Sequence, residues 1–397
     1  MLLDEFQDTT IIQYQLIKLS FENSDSILTA VGDIKQRIMI FAGAKKKIFS
    51  EFEIDFKATR IPLLINYRST EKLQYIQSFF AKELDDNVDI KTEYKNNQDG
   101  DCQILHFRDS DREADIIASE IKKYIEKGIQ LEDICILYRR KFNFRSKDIY
   151  REKIMNKLRI LGIPARFEDL YQNFLSEPII KLVISFIRLS LKDQSHEDWI
   201  MIQNLLIYLK GFNEETKTKR FRDLNMMIFN KSNQIRNLFS GIKSIKDLWK
   251  ICVMIIKTFR IEELSLLYPQ YLDKNYIEMI FKEFLNYFFQ QYQLHKDWIS
   301  ALECLLGKGI IPIMTIHKSK GLEFEVVIFI GLEDKAFFHY RENSNEELCN
   351  FFVALSRAKK FNIFTHCDKR YNLPQSIINI NEIYDIFSRS GVKQISI

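Results

Sequence analysis

The chain is 397 residues long and 46% hydrophobic, enough apolar material for two or three cores. Its net charge of +4 neither demands nor excludes nucleic acid, so any such reading must rest on local patches. No apolar run approaches bilayer length and the N-terminus turns acidic almost at once, a pattern that argues against a leader or a membrane contact and predicts a soluble, cytoplasmic chain. The six cysteines are scattered, with no CxxC pair and no histidine at ligand spacing; reduced buried thiols are expected, and a zinc or iron–sulfur site is not.

In chain order, residues 1–44 hold an apolar strand end at Leu2 and Leu3, a helical stretch near Ile11 to Phe21, and a short strand at Ile27 to Val31 that turns into another helix. From 45 to 167 the pattern predicts a strand at Ile61 to Ile65, a polar loop at Lys91 to Asp101 and a strand at Cys102 to Phe107. A helix from Arg112 to Lys127, a buried strand at Asp133 to Tyr138, and a helix to Leu161 before the turn Gly162-Ile163-Pro164 follow. Such βα alternation with short loops is that of a doubly wound α/β sheet. Residues 168–301 change to long amphipathic helices, such as Ile179 to Leu191 and Tyr276 to Tyr292, with polar connectors such as Asn213 to Lys219. Residues 302–397 return to strands at Ile311 to Thr315 and Glu325 to Ile330.

The first chemical signal is Asp4-Glu5, directly after Leu2-Leu3. In nucleotide-hydrolysing α/β folds one such carboxylate reaches the Mg²⁺ on ATP while its neighbour polarises the attacking water. An acidic pair after a short apolar run is also an ordinary loop start, so the pair alone decides nothing. Four further blocks follow: Val31 to Ala44 (VGDIKQRIMIFAGA), Leu64 to Thr70 (LINYRST), Met314 to Leu332 (MTIHKSKGLEFEVVIFIGL) and Glu346 to Lys360 (EELCNFFVALSRAKK). In this order they resemble the motifs of a UvrD/Rep/PcrA-like superfamily 1 DNA helicase. IHKSKGLEFEVV is the most specific of them, and the resemblance spans nearly the whole chain apart from a divergent middle.

The resemblance implies a RecA-like doubly wound parallel sheet, domain 2A, split into residues 45–167 and 302–397. It also implies a helical 2B insertion at 168–301 and a remnant of a first RecA-like domain, 1A, at 1–44. Because most of the 1A sheet is absent from these residues, that remnant is expected to be disordered, to dock elsewhere or to await a partner. In the implied site Asp4 holds the metal, Glu5 activates water, and Gln36 bonds the γ-phosphate or the attacking water. Tyr67 stacks on adenine and Arg68 reaches the γ-phosphate, a planar ring and a guanidinium fork suited to those partners. Lys320 and Gly321 form a turn at the nucleotide, Glu323 binds the ribose, and Arg357 is the arginine finger acting across a closing cleft. Phe41 would stack on a base of single-stranded DNA, with Thr315, His317 and Ser319 in the DNA groove and Arg139 and Arg140 on the backbone. The bland readings are a surface Gln36, a core Phe41, Tyr67 packed under a helix and Arg68 in a surface ion pair.

Some positions depart from the family pattern. Met39 and Ala42 replace a tyrosine and an arginine, Arg37 stands where serine is common, and Glu325 where aspartate is frequent. Leu348-Cys349 replaces an Arg-Arg pair, and Asn213 replaces the second glycine of a duplex-contacting turn after Gly211-Phe212. Basic clusters at Arg139, Arg140, Lys141, Arg145 and Lys147, and at Lys217, Lys219, Arg220 and Arg222, suit phosphate contacts or solvated helix faces equally.

No GxxxxGK[ST] occurs, and the one Gly-Lys pair, Gly307-Lys308, has Leu302 and Gly309 at the flanking positions. The expectation is therefore the C-terminal portion of an ATP-dependent 3′–5′ helicase acting on single-stranded DNA or a single/double-strand junction. It would be inactive as an ATPase without a P-loop half, which could be separately encoded. A non-catalytic single-stranded DNA binding or regulatory module is the alternative. The helicase half of a helicase-nuclease is disfavoured because few residues follow Lys360.

Overall fold

Ile134–Tyr138 reads Ile-Cys-Ile-Leu-Tyr with every side chain buried, the mark of a parallel strand covered on both faces. The computed structural model describes residues 1–397 except 46, 64, 90–99, 142, 145–146, 193–194 and 211–216, with 41, 143–144, 147 and 217–220 described by backbone alone. The strands are β1 (Leu2–Leu3), β2 (Thr29–Ala30), β3 (Asp101–Asp109), β4 (Ile134–Tyr138), β5 (Asn143–Phe144), β6 (Lys147–Asp148), β7 (Ala165–Phe167), β8 (Ile311–Thr315), β9 (Phe324–Ile330), β10 (Ala358–Arg370), β11 (Leu373–Pro374) and β12 (Lys393–Ser396). The chain divides into one unit of residues 1–167 and 309–397 and a second of residues 168–308.

The first unit is built on a sheet ordered β12-β3-β10-β9-β4-β8-β7, all parallel, with β11 folded back antiparallel on the end of β10. The β10–β11 turn has Tyr371 and Asn372 at φ of 47° and 66°, as a two-residue hairpin of matching twist requires. Strands β7 and β8 are hydrogen-bonded neighbours, Ala165 beside Ile311 and Phe167 beside Ile313. The sheet is thus continuous across the point where the chain departs into its second unit. Helices Glu71–Leu84, Ser344–Leu355 and Asn381–Arg389 contribute Phe80, Phe351 and Phe387 to an aromatic cluster with Phe364 of β10, with ring centroids 4.9–5.6 Å apart.

At the end of β10 the fully buried Arg370 faces two carboxylates. Its Nε lies 3.0 Å from both oxygens of Glu333, its Nη2 lies 2.7 Å from Glu113, and its guanidinium sits 5.0 Å from the Tyr150 ring. The Thr365 hydroxyl and the Cys367 amide donate to the same two acids. Such a network holds only if every member is satisfied.

The N-terminal residues form a small sheet of β1 and β2 and a core of Phe6, Tyr14, Ile48 and Phe52. That core extends past residue 44 through the helix Ile48–Phe56, since Phe52 packs on Phe6 at 5.0 Å and on Phe56 at 4.8 Å. The segment shares a unit with the large sheet. Its helix Ile11–Phe21 buries only Tyr14 and leaves Ile12, Leu16 and Leu19 at 78%, 66% and 85% exposure. The strand expected at Ile61 to Ile65 does not form among the described residues; Ile61, Leu63 and Ile65 are exposed. β-branched composition favours a strand only where a neighbour pairs with it and covers it. The helix expected to follow β4 directly is delayed by the small hairpin of β5 and β6 and starts at Glu152.

The second unit is helical among its described residues, from Glu168–Leu175 to Trp298–Leu305. The helices Pro178–Leu191 and Lys274–His295 sit where their apolar periodicity predicts, and Pro178 starts its helix in the first turn, where a missing N–H costs nothing. Of the connector expected at Asn213 to Lys219, residues 213–216 lie outside the described residues, and Lys217 begins the helix Lys217–Phe239. The unit closes at Lys308, later than 301, because Trp298 stacks on Tyr292 at 3.6 Å and Leu302 and Leu305 are buried in the helical core.

Replacing Arg370 by Met is expected to cost about 3–5 kcal/mol of stability, because it strands two buried carboxylates. Urea denaturation reads this directly, and an unchanged midpoint would refute it. Hydrogen exchange should be fast in the two-residue strands β1 and β2 and slowest in β4; equal protection would show that the small sheet is covered by more than its own core.

Candidate active site

The helix Ser344–Leu355 ends at Ser356, and Arg357 follows as the last residue before β10. Its guanidinium is only 1% exposed and every nitrogen finds an oxygen. Nε donates to the Val353 carbonyl at 3.0 Å, Nη1 to the Leu322 carbonyl at 3.2 Å, and Nη2 to Gln36 Oε1 and Ser356 Oγ, each at 2.8 Å. Burial, and then the like charge of Arg68, lowers its pKa to about 10 against the pull of Glu5 and Glu323. It remains a cation at neutral pH. Gln36 is therefore no free surface amide: its Nε2 donates to Asp33 at 3.2 Å while its Oε1 accepts from Arg357 Nη2.

Arg68 reaches the same place from Asn66-Tyr67-Arg68-Ser69. Asn66 Oδ1 accepts from the amides of Arg68 and Ser69 at 2.9 and 3.2 Å, an Asx turn that fixes the bend locally. Ser69 Oγ donates to the Ala358 carbonyl at 2.9 Å, and the Thr70 amide donates to Lys359. The bend is thereby pinned beside Arg357. Arg68 Nε donates to Glu323 at 2.6 Å, and Lys359 meets the other oxygen of Glu323 at 2.9 Å. Hydrogen bonds from Lys359 and Arg68 hold the Glu323 carboxyl below its ordinary range. Tyr67 is 88% exposed, its ring open to solvent.

The acidic pair sits opposite. Asp4 is exposed after β1, its Oδ1 accepting the Glu5 amide at 2.9 Å, and Glu5 adopts left-handed backbone with φ 49°, a conformation costing about 1–3 kcal/mol outside glycine. Gln7 Nε2 donates to Glu5 at 2.6 Å, and Gln7 Oε1 accepts the Asp33 amide at 3.0 Å. Lys320, just before the left-handed Gly321, pairs with Glu5 at 3.0 Å and with Asp8. Burial pushes the Glu5 carboxyl up, but bonds from Lys320 and Gln7 and the charges of Lys320 and Arg357 outweigh it and leave it below its ordinary value of 4.5. Asp4 apart, the structure brings Glu5, Gln36, Arg68, Lys320, Glu323 and Arg357 into one network. Gln7, Asp8, Asn66 and Lys359 belong to it as well and were missed by sequence reasoning. Their only signal is adjacency to residues already singled out.

The residues expected to face DNA fare differently. Thr315 ends β8 and His317 opens the turn His317–Ser319, half-buried, with burial and then the Arg139 charge lowering its pKa; this favours a neutral imidazole. Ser319 is wholly buried and its hydroxyl donates to the Ile316 carbonyl at 2.7 Å, so it closes the turn rather than facing a groove. Arg139 is likewise not a free cation: it grips Glu347 through two bonds of 2.8 and 2.9 Å, a buried acid needing a buried base. Arg140 donates to the Lys335 carbonyl at 2.9 Å and lies 3.7 Å above the Phe338 ring. The side chain of Phe41 lies outside the described residues, as do Arg145, residues 211–213, and the side chains of Lys147, Lys217, Lys219 and Arg220.

The Leu348-Cys349 pair acquires a physical reason. Both side chains are buried, and Cys349 Sγ lies 3.9 Å from the Ile34 carbonyl, where the N-terminal turn Ile34–Gln36 meets this helix. Ile38 and Met39 continue the contact into the large core. Two arginines there would bury charge without a described partner.

Because the folded pKa of Glu5 is depressed, its contribution to docking is complete above 4.5 and is lost as pH falls through and below that value. Acidification is therefore expected to raise amide exchange at residues 5–8 and 33–36 before β4 responds, and Lys320→Ala should produce the same pattern at neutral pH. Unchanged exchange in the variant would refute the contact.

Comparison with known proteins adds the lineage. Residues 1–57 match the UvrD/REP helicase N-terminal domain, and residues 61–208 and 201–369 match the UvrD-like helicase C-terminal domain. The chain is 26% identical to the ATP-dependent DNA helicase Rep of Buchnera aphidicola subsp. Acyrthosiphon pisum (strain APS) and 28% identical to that of Buchnera aphidicola subsp. Schizaphis graminum (strain Sg), over 93% and 95% of its length. It is 28% identical to DNA helicase II of Rickettsia typhi over 97% of its length. It spans 63% of each of these relatives. The mostly parallel sheet agrees with a RecA-like helicase fold, and no helix among the described residues is long and apolar enough to cross a membrane. With both family domains matched in order over most of its length, the chain belongs to the UvrD-like DNA helicase family.

Proposed function

We propose that these residues form the cleft-closing part of an ATP-dependent DNA helicase of the UvrD/Rep type, moving 3′ to 5′ on single-stranded DNA. The observation that carries the reading is the direct bond from Arg357 to Gln36, with Lys320 on Glu5 beside it. Cations from the large sheet meet the acids and amide of the N-terminal segment at one point, the arrangement a nucleotide site shared by two RecA-like domains requires. On this reading residues 1–57 are part of domain 1A, the large sheet is 2A, and residues 168–308 are the 2B insertion.

The donor set fits a metal–nucleotide. Asp4 offers an exposed carboxylate for Mg²⁺, while Lys320, Arg68 and Arg357 offer a lysine and two guanidinium forks for phosphate oxygens. Bound Mg²⁺ supplies neutralisation of phosphate charge. Glu5, held ionised, accepts a proton from the attacking water, and Gln36 orients that water. Arg357, already desolvated and rigid, stabilises charge that develops on the γ-phosphate. Tyr67 is free to stack on the base. Phosphate-binding backbone donors come from a P-loop segment, on this chain or another, and the exposed Ile12, Leu16 and Leu19 provide an apolar face for the rest of 1A. A purely DNA-binding module is the weaker reading, because Ser319 and Arg139 are committed inside the fold.

The 397 residues alone are expected not to hydrolyse ATP, and a P-loop segment, fused or added, is expected to create DNA-stimulated hydrolysis. In the completed enzyme Glu5→Gln should abolish turnover while sparing nucleotide binding, and Arg357→Ala should slow it about a thousandfold or more. Hydrolysis by the 397 residues alone that survives Glu5→Gln would overturn the assignment.

A further inference from the structure

We propose that His106, His366 and Asp368 form a binding site for one divalent transition-metal ion of the Zn²⁺ or Co²⁺ class, built from none of the residues of the nucleotide site. Strands β3 and β10 run parallel with His106 directly beside His366, so both imidazoles project from one face of the sheet, and Asp368, two residues further along β10, projects from that face as well. The two rings lie 4.9 Å apart, and one donor atom from each of the three residues falls within 4.8 Å of the others. His106 Nε2 and Asp368 Oδ1 are already 2.7 Å apart. Ligands on one zinc lie about 2.0–2.2 Å from the ion, so the donors must draw closer than they stand, and the partly exposed His106 and Asp368 are the side chains with room to turn towards the buried His366.

His366 is the second, independent observation. It is only 9% exposed and its Nδ1 is buried with no hydrogen-bond partner among the described residues. A buried polar atom left unpaired costs free energy, and coordination of this imidazole relieves its isolation.

The donor set selects the ion. Two imidazoles and one carboxylate suit Zn²⁺, Co²⁺ or Ni²⁺, whereas Mg²⁺ prefers oxygen ligands and keeps its waters. Three protein ligands at a partly exposed position leave at least one coordination place for water. The ion would clamp β3 to β10 where the C-terminal strand attaches: β12 pairs with β3 at Ser396 beside His106, and the Ile397 amide donates to the His106 carbonyl at 2.9 Å. His366 and Asp368 alternate on one strand, but His106 lies 262 positions before Asp368, so sequence spacing alone does not assemble the three.

The test is titration of Co²⁺ alone into the untagged, chelator-treated full chain, followed by visible absorption. One equivalent is expected to give a d–d band that Zn²⁺ abolishes and excess Mg²⁺ does not, and saturating Zn²⁺ should raise the melting temperature. Loss of an outer partner to a metal ligand typically weakens binding about 10–100-fold. The surface variants His106→Asn and Asp368→Asn should each weaken Co²⁺ by at least about tenfold on that scale, with far-ultraviolet circular dichroism unchanged. Absence of the band in the wild-type chain, or binding unchanged in the His106→Asn/Asp368→Asn double variant, would overturn the proposal.

Discussion

A guanidinium almost wholly withdrawn from water must have its donors met, and at Arg357 this requirement organises the site. Its acceptors are the Val353 carbonyl inside one helix, the Leu322 carbonyl after the Gly321 turn, the Ser356 hydroxyl, and the Gln36 amide oxygen from the N-terminal segment. Three of these belong to the framework of the large sheet and the fourth does not. The N-terminal segment is thereby tied to that framework by a bond to a buried guanidinium whose other acceptors stay in place without it. From Gln36 the bonding continues through Asp33 to Gln7, from Gln7 to Glu5, and from Glu5 to Lys320; Lys320 and Leu322, whose carbonyl accepts from Arg357, flank the same left-handed Gly321. The loop of bonds closes on itself. Gly32 is required within it because a Cβ there would stand 2.1 Å from Gln7 Oε1 and 3.0 Å from the Phe6 amide nitrogen.

The readable parts of this arrangement were those whose pattern is local. Ile134–Tyr138 reads as a strand because burial on both faces demands an apolar run, and Tyr67 and Arg68 could be singled out because they lie within one short contiguous block, although the turn that Asn66 makes there could not. Arg139 could not be read in the same way. Whether a basic residue faces solvent or a buried acid depends on Glu347, 208 positions away. Ser319 and Cys349 failed for a related reason, since the burial of each depends on how a turn or helix end packs. Ile61 and Ile65 show the converse, strand-like composition with nothing to pair with it.

Charge placement has a further consequence for the proposed nucleotide site. Arg68 and Lys359 share Glu323, and Lys320 is shared by Glu5 and Asp8. If Arg68 turns towards a phosphate, Glu323 keeps Lys359 and is not left as an uncompensated anion; if Lys320 turns, Glu5 keeps the Gln7 amide. Shared partners lower the cost of exchange, because breaking an ion pair is expensive chiefly through the charge left behind. Arg357 differs. Its three framework acceptors fix the guanidinium however Gln36 moves, so in the proposed site it would act by position already set and the surrounding pairs by their freedom to change partners. Rigidity at Arg357 and exchangeability at Arg68 and Lys320 are thus complementary properties of one network, and both follow from how many acceptors each cation has and which segment supplies them.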